Sequence, residues 1–261
     1  GFVNSMSIYL AESQRQAIRD ARREKAPVVQ RFWTALMERT AARAASPGLI
    51  SSDDAAAWWY PAAEYLSDAA MAWTLQPTPT LGAWLRATTL AVARRPEADW
   101  IGPWYRDHSA RPPTGHLETA HLCWGVSAVL DLAPDAFTPH ECQELRDALR
   151  EKGARLCRQW LVYNTHLANW RAVMVAGVAA AAAATGDRQS LELAAAETFI
   201  CGEAFQPDGS YAESLQYSNY LAYSLMMAYE AIHGAAPDLP VSEPDVCARL
   251  MPWYAASMLY T

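Results

Sequence analysis

Residue types that can move protons or hold a sugar are concentrated in two short stretches of this chain. The first is Tyr163-Asn164-Thr165-His166-Leu167-Ala168-Asn169-Trp170-Arg171, a polar, aromatic turn that leads into a helix of small apolar residues. The second is Phe205-Gln206-Pro207-Asp208-Gly209-Ser210-Tyr211-Ala212-Glu213-Ser214-Leu215-Gln216-Tyr217-Ser218-Asn219-Tyr220. Histidine and tyrosine can serve as general acid or base. Tryptophan and tyrosine offer apolar ring faces with a polar handle. Both stretches lie where an apolar helix begins, and helix N-termini favour bound anions, carboxylates included. Each also has a plain structural role. Asn169 fits an N-cap, Ser210 with Glu213 fits a capping box, and Pro207-Asp208-Gly209 is ordinary turn chemistry.

The tyrosines are harder to assign to structure alone. Glu213, Tyr217, Tyr220 and Ser224 fall at i, i+4, i+7 and i+11, one stripe of a helix. That stripe is polar-tipped on a helix whose other faces are apolar. A buried tyrosine needs a partner for its hydroxyl, so a row of them predicts a polar, partly wet cavity.

The elements that must position these residues read as helices throughout, and strand signals are almost absent. Helices are expected at roughly 10–20, 27–45, 53–74, 80–95, 116–131, 139–163, 169–185, 188–203 and 211–233, with a tenth starting near Pro244 and still running at Thr261. Thr138-Pro139-His140-Glu141 combines an N-cap, a first-turn proline and a capping-box glutamate. The segment 139–163 carries charge along one face, whereas 169–185 is apolar nearly all round and must be buried. Alternating exposed and buried helices are the pattern of a double-layered helical toroid. The stretch from about Arg94 to Glu118, with Asp99-Trp100-Ile101-Gly102-Pro103-Trp104-Tyr105-Arg106-Asp107, breaks this rhythm and reads as a long structured loop.

Composition narrows the function classes. The chain has 261 residues, 52% hydrophobic and 19% charged, which suits one large core and no interior linker. Its net charge of −7 argues against broad, charge-driven binding to nucleic acid. Cys123, Cys142, Cys157, Cys201 and Cys247 form no C-x-x-C and read mostly as small core residues. The longest apolar run, Ala172 to Ala184, is shorter than the roughly 20 residues of a membrane span. His108, His116, His121 and His140 show no metal-ligand spacing, and the surface-or-core reading holds for all four. Gly1-Phe2-Val3-Asn4 shows no signal peptide. That leaves a cytoplasmic location, or a periplasmic or secreted one after trimming.

Asn169-Trp170 followed by a glycine- and alanine-rich helix, and then Pro-Asp-Gly-Ser-Tyr-x-Glu-Ser-x-x-Tyr-x-x-Tyr over Pro207–Tyr220, resembles the helical domain of heparinase II/III-like polysaccharide lyases. The resemblance covers roughly Leu161–Ile232 and is architectural elsewhere. Related helical-toroid lyases of the chondroitin and alginate type carry similar Asp-Gly-Ser…Tyr elements. The resemblance implies an all-α (α/α) toroid over residues 1–261, an incomplete double-layered helical barrel. It also implies a C-terminal β-sandwich region that this chain lacks, so the chain reads as the N-terminal part of a longer polypeptide. A metal held by that further region is compatible with the resemblance, and no cofactor is evident in the sequence itself. The family often has His directly after the motif tyrosine, where this chain has Ser218.

The activity implied is β-elimination on an acidic, uronate-containing polysaccharide. Its C5 proton is sluggish until hydrogen-bond donors neutralise the carboxylate. A base then takes that proton, and an acid protonates the departing oxygen. By resemblance Tyr217 matches the catalytic tyrosine, and Asn169 and His166 fall at the carboxylate-neutralising Asn or catalytic His, with the two roles open between them. Asn164, Trp170, Arg171, Tyr211, Glu213 and Tyr220 are candidates for positioning or stacking substrate. Two other readings compete. A helical-toroid glycoside hydrolase needs two carboxylates flanking one bond, for which Asp208 with Glu213 or Glu118 are the candidates. A non-catalytic glycan-binding toroid is mildly favoured by the acidic net charge. A terpene-cyclase-type metal site would need more than Ser52-Asp53-Asp54.

Overall fold

A helix without a polar face has to be covered on every side, and the segment after Ala168 is such a helix. The computed structural model describes residues 7–46, 58–102, 112–242 and 244–258. The described residues are all-α, and the one extended pairing among them is an isolated bridge between Phe205 and Tyr211. The first helices are α1 (Glu12–Arg23), α2 (Pro27–Ala44), α3 (Trp59–Leu75), α4 (Pro79–Arg94) and the short α5 (Glu97–Ile101). The next are α6 (Leu117–Leu132), α7 (Pro139–Ala148) and α8 (Arg155–Tyr163), the last two joined through a π-helical turn at Leu149–Ala154. The chain continues with α9 (Asn169–Thr185), α10 (Arg188–Gly202), α11 (Leu215–Ala235) and α12 (Leu250–Met258). None of the described helices is long and apolar enough to cross a membrane.

Helices α3, α6, α9 and α11 pack side by side in that order, with α4, α7 and α10 laid against them. The inner helices are buried nearly all round: Ala172 to Ala182 of α9 and Thr119 to Leu130 of α6 are closed to solvent. Two apolar clusters result. One gathers α9, α10 and α11; the other gathers α3, α4, α6 and α7. Opposite faces of α6 serve both, Ala120 and Trp124 in the first, Leu122, Val126 and Val129 in the second. Small residues permit this spacing. A Cβ on Gly177 would lie 2.8 Å from the Ala120 Cα, so α6 and α9 meet backbone to backbone at that point.

Several sequence expectations are refined. The capping box at Thr138 forms, with the Thr138 Oγ1 accepting from the Glu141 N–H and Glu141 accepting from the Thr138 N–H. The expected helix over 139–163 is one path interrupted by the π turn, which inserts a wider hydrogen-bonded loop beside Gly153. The expected helix over 211–233 starts at Leu215, because Ser214 caps it by accepting from the Tyr217 N–H at 3.2 Å. Ser210 and Glu213 therefore do not form the expected capping box. The tenth helix opens as a 3₁₀ turn at Pro244–Arg249 and becomes α-helical at Leu250. Part of the expected loop between Arg94 and Glu118 is helix α5, anchored by the fully buried Trp100 indole donating to the Val92 carbonyl at 3.2 Å. Residues 53–57, 103–111 and 259–261, and with them Asp53, Asp54, Trp104 and His108, lie outside the described residues.

The close approach at Gly177 makes a signed prediction. In an ordinary helix Gly→Ala gains up to about 1 kcal/mol. Here Gly177→Ala should instead destabilise by about 1–3 kcal/mol through overpacking against α6, read as a lower midpoint in thermal unfolding. A raised midpoint would show that the two helices are not in that contact.

Candidate functional site

The first turns of α9 and α11 open into one cavity of about 600 Å³. Its described walls are Tyr60 of α3, Leu117 at the start of α6, Asn169 and Trp170 of α9, and Gln216, Tyr217, Asn219, Tyr220 and Tyr223 of α11. A second cavity of about 400 Å³ shares Tyr60, Tyr220 and Tyr223 with it and adds His121, Trp124, Glu64 and Asp68 among others. Together they make an aromatic groove with amide and phenol groups along it.

One end is organised by Glu213. The turn Pro207–Ser210 is closed by the Gly209 N–H donating to the Gln206 carbonyl and by the Ser210 N–H donating to Asp208 Oδ1, both at 2.8–2.9 Å. Gly209 has φ +84°, and a Cβ there would overlap the Arg249 carbonyl, so this position needs glycine twice over. The turn delivers Glu213 to the start of α9, where its Oε2 accepts from Asn169 Nδ2 at 2.9 Å and from the Tyr211 hydroxyl. Asn169 is the first residue of α9 rather than its N-cap, a position held by Ala168, so its amide is not spent on capping. The amide is 1% exposed, and its Oδ1 is buried with no hydrogen-bond partner. Burial raises the Glu213 carboxyl, but hydrogen bonds from Tyr211 and Asn169 outweigh it and hold the group below the usual carboxylate range. Burial, followed by the Glu213 carboxylate, pushes the Tyr211 hydroxyl well above its ordinary value.

The other end is organised by His121. Its Nδ1 lies 2.8 Å from the Leu117 carbonyl, which can only accept, so Nδ1 carries the proton. Its Nε2 lies 3.3 Å from the Tyr220 hydroxyl. The ring is packed against Trp124 at 4.2 Å, Tyr60 at 4.4 Å and Trp59 at 5.3 Å between centroids. Burial pushes the imidazole down to about 4, so it is neutral at pH 7. Burial, then the neighbouring Tyr60 hydroxyl, pushes Tyr220 well above the usual phenol value.

The structure therefore brings Tyr217, Asn169, Trp170 and Tyr220 to one cavity, with Glu213 and Tyr211 behind Asn169. Tyr217 is 46% exposed, open to a ligand. His166 lies exposed on the loop before α9, its ring 6.1 Å from that of Trp170. Arg171 and Asn164 point elsewhere. Arg171 is buried in a two-pronged ion pair with Glu197, at 2.7 and 2.9 Å, and donates to the Asn164 carbonyl at 2.9 Å. The Asn164 amide donates to the Trp160 carbonyl. Of the carboxylates considered for hydrolysis, Asp208 closes its own turn, Glu213 is engaged with Asn169, and Glu118 is buried beside His116. None of the three lines the cavity.

Sequence reasoning passed over Tyr60, His121, Gln216, Asn219 and Tyr223. The last three share α11 with the tyrosine stripe and were within reach of the pattern. Tyr60 and His121 enter from α3 and α6, and no local spacing links them to it. Among the described residues no group of three or more His, Cys, Asp or Glu could hold a metal ion. No protein-family model and no curated protein sequence matches this chain.

A buried neutral histidine makes a pH prediction. The folded value of about 4 lies below the unfolded 6.5, so the unfolded chain binds the proton first as pH falls. Stability from this residue is complete above about 6.5 and declines by about 3 kcal/mol as pH drops to 4. Denaturant unfolding of His121→Phe should show a shallower loss of stability between pH 7 and 4 than the parent. Parallel curves would contradict a neutral, buried His121.

Proposed function

We propose that this chain is the helical domain of a polysaccharide lyase that cleaves an acidic, uronate-containing glycan by β-elimination, its helices forming an incomplete toroid of the heparinase II/III-like kind. The observation that carries the reading is the meeting of Tyr217, Asn169, Trp170 and Tyr220 on one cavity, from two stretches about 40 residues apart in sequence. Trp170 and the α11 tyrosines give stacking faces for pyranose rings. Asn169, held by Glu213, has a second N–H left for the substrate carboxylate. Its unpartnered Oδ1 costs stability and would need a donor such as a sugar hydroxyl, since the carboxylate has no proton to give it. Neutralising the carboxylate acidifies C5. The C5–H electron pair then becomes the C4–C5 double bond as the C4–O4 bond breaks. Tyr217, open to the cavity, takes the C5 proton as a phenolate and, as the phenol so formed, gives it to the departing O4.

A second reading has support in the electrostatics. Among the described residues lining the cavity there is no lysine or arginine, and the chain is acidic. That favours a glycan-binding domain without chemistry more than it favours a hydrolase, since this cavity has no carboxylate among its described walls and those of the adjoining one, Glu64 and Asp68, are tied to Arg39 and Arg43.

The test is ultraviolet absorbance of unsaturated uronate products, using the full-length protein on a panel of acidic polysaccharides. The lyase reading predicts a rise that falls at least a hundredfold in rate for Tyr217→Phe, in line with loss of a general acid–base group. Turnover unchanged in Tyr217→Phe contradicts the mechanism, and binding without any product supports the second reading.

A further inference from the structure

A backbone carbonyl fixes the tautomer of His121. The Leu117 carbonyl is an acceptor, so His121 Nδ1 must donate to it, at 2.8 Å. A neutral imidazole then has a bare Nε2, and the Tyr220 hydroxyl 3.3 Å away can donate to that nitrogen, its other partner on the wall being the Tyr60 hydroxyl. With its only proton turned inward, the Tyr220 oxygen offers lone pairs alone to the groove, on whose two cavities it borders. We propose that His121 fixes Tyr220 as a one-way hydrogen-bond acceptor, making this end of the groove a subsite for a hydroxyl-bearing, uncharged sugar unit and closing it to carboxylates and sulfate esters.

Carboxylates and sulfate esters accept hydrogen bonds and donate none, so either would meet the Tyr220 oxygen acceptor to acceptor. The rest of the adjoining cavity agrees. Glu64 and Asp68 line it, and the cations beside them are already paired, Arg43 with both and Arg39 with Asp68. Trp124 supplies an apolar face that suits a neutral pyranose, and its indole N–H, which has no partner, is a buried donor beside it. The groove is thus polarised along its length, with a free amide N–H at Asn169 and a fixed acceptor at Tyr220. A uronate would place its carboxylate at the Asn169 end and its uncharged neighbour over Tyr220. This inference rests on the glycan reading for the identity of the occupant, and on geometry alone for the polarity.

His121 acts here as a positioning residue, so the test reads direction and selectivity as well as stability. Long-range proton–nitrogen spectra of the full chain at neutral pH should show His121 protonated at Nδ1 and bare at Nε2; an Nε2–H tautomer overturns the proposal. Calorimetric titration then compares an unsulfated uronate–N-acetylhexosamine tetrasaccharide with its O-sulfated counterpart. The parent should prefer the unsulfated sugar by about tenfold or more, the scale of one mispaired polar contact. His121→Phe, which keeps a ring among Trp59, Tyr60 and Trp124 but frees the Tyr220 proton to turn outward, should bring the two affinities to within about twofold of each other. Equal binding of the two sugars by the parent, or a preference that survives in His121→Phe, overturns the subsite. Binding of neither sugar would overturn the glycan reading itself. Failure of the subsite alone leaves both sugars bound with equal affinity, so the two failures are distinguishable.

Discussion

Everything in this molecule is arranged around the burial of α9. From Ala172 to Ala182 it has no residue that water can reach, and its side chains are too small to hold neighbours at a distance. Helices α6 and α11 therefore press directly on it, α10 and the π turn close its remaining sides, and the ends of these helices cannot wander. A helix so enclosed has one place to be polar, its first turn, and there the sequence puts Asn169, Trp170 and Arg171. Arg171 is kept inside by the Glu197 carboxylate and the Asn164 carbonyl, a pair that would be costly to break from one side. It pins the entry of α9, and Asn169 is presented to the groove as a consequence.

The groove itself is a balance of two hydrogen-bonded ends on an aromatic wall whose two carboxylates, Glu64 and Asp68, are paired with Arg39 and Arg43. At one end a carboxylate, Glu213, gathers the Asn169 amide and the Tyr211 hydroxyl. At the other a backbone carbonyl sets the tautomer of His121, and the imidazole sets the direction of the Tyr220 hydroxyl. Both arrangements begin from a group that can only accept, and both pass that constraint outward to a side chain on the cavity. Specificity of this kind needs no net charge at the wall, which suits an acidic chain whose arginines are largely committed to ion pairs across its surface.

How much of this could be read from sequence depends on how local each cause is. The helices were legible because amphipathic spacing, prolines and caps such as Thr138 act within one or two turns. The full burial of α9 was legible because it has no polar face to leave outside. The convergence of Asn169 and Tyr217 was legible only as two polar-aromatic helix starts. Legibility failed where the partner is distant. Arg171 looks like a ligand for an anion until Glu197 is found 26 residues away. His121, one of four histidines without metal spacing, becomes interpretable only once Tyr220 is seen 99 residues further on. Ser210 and Glu213 fit a capping pattern, yet Ser214 takes the cap and leaves Glu213 for Asn169.

The proposed chemistry requires a uronate in the groove with its carboxylate on Asn169 and its C5 beside Tyr217. The most direct measurement is a crystal structure of the full-length Tyr217→Phe protein with a uronate tetrasaccharide bound. The expected result is one carboxylate within hydrogen-bond distance of Asn169 Nδ2, the ring stacked on Trp170, and C5 facing the substituted position. A tetrasaccharide seated elsewhere, or one in the groove with no carboxylate near Asn169, would contradict it.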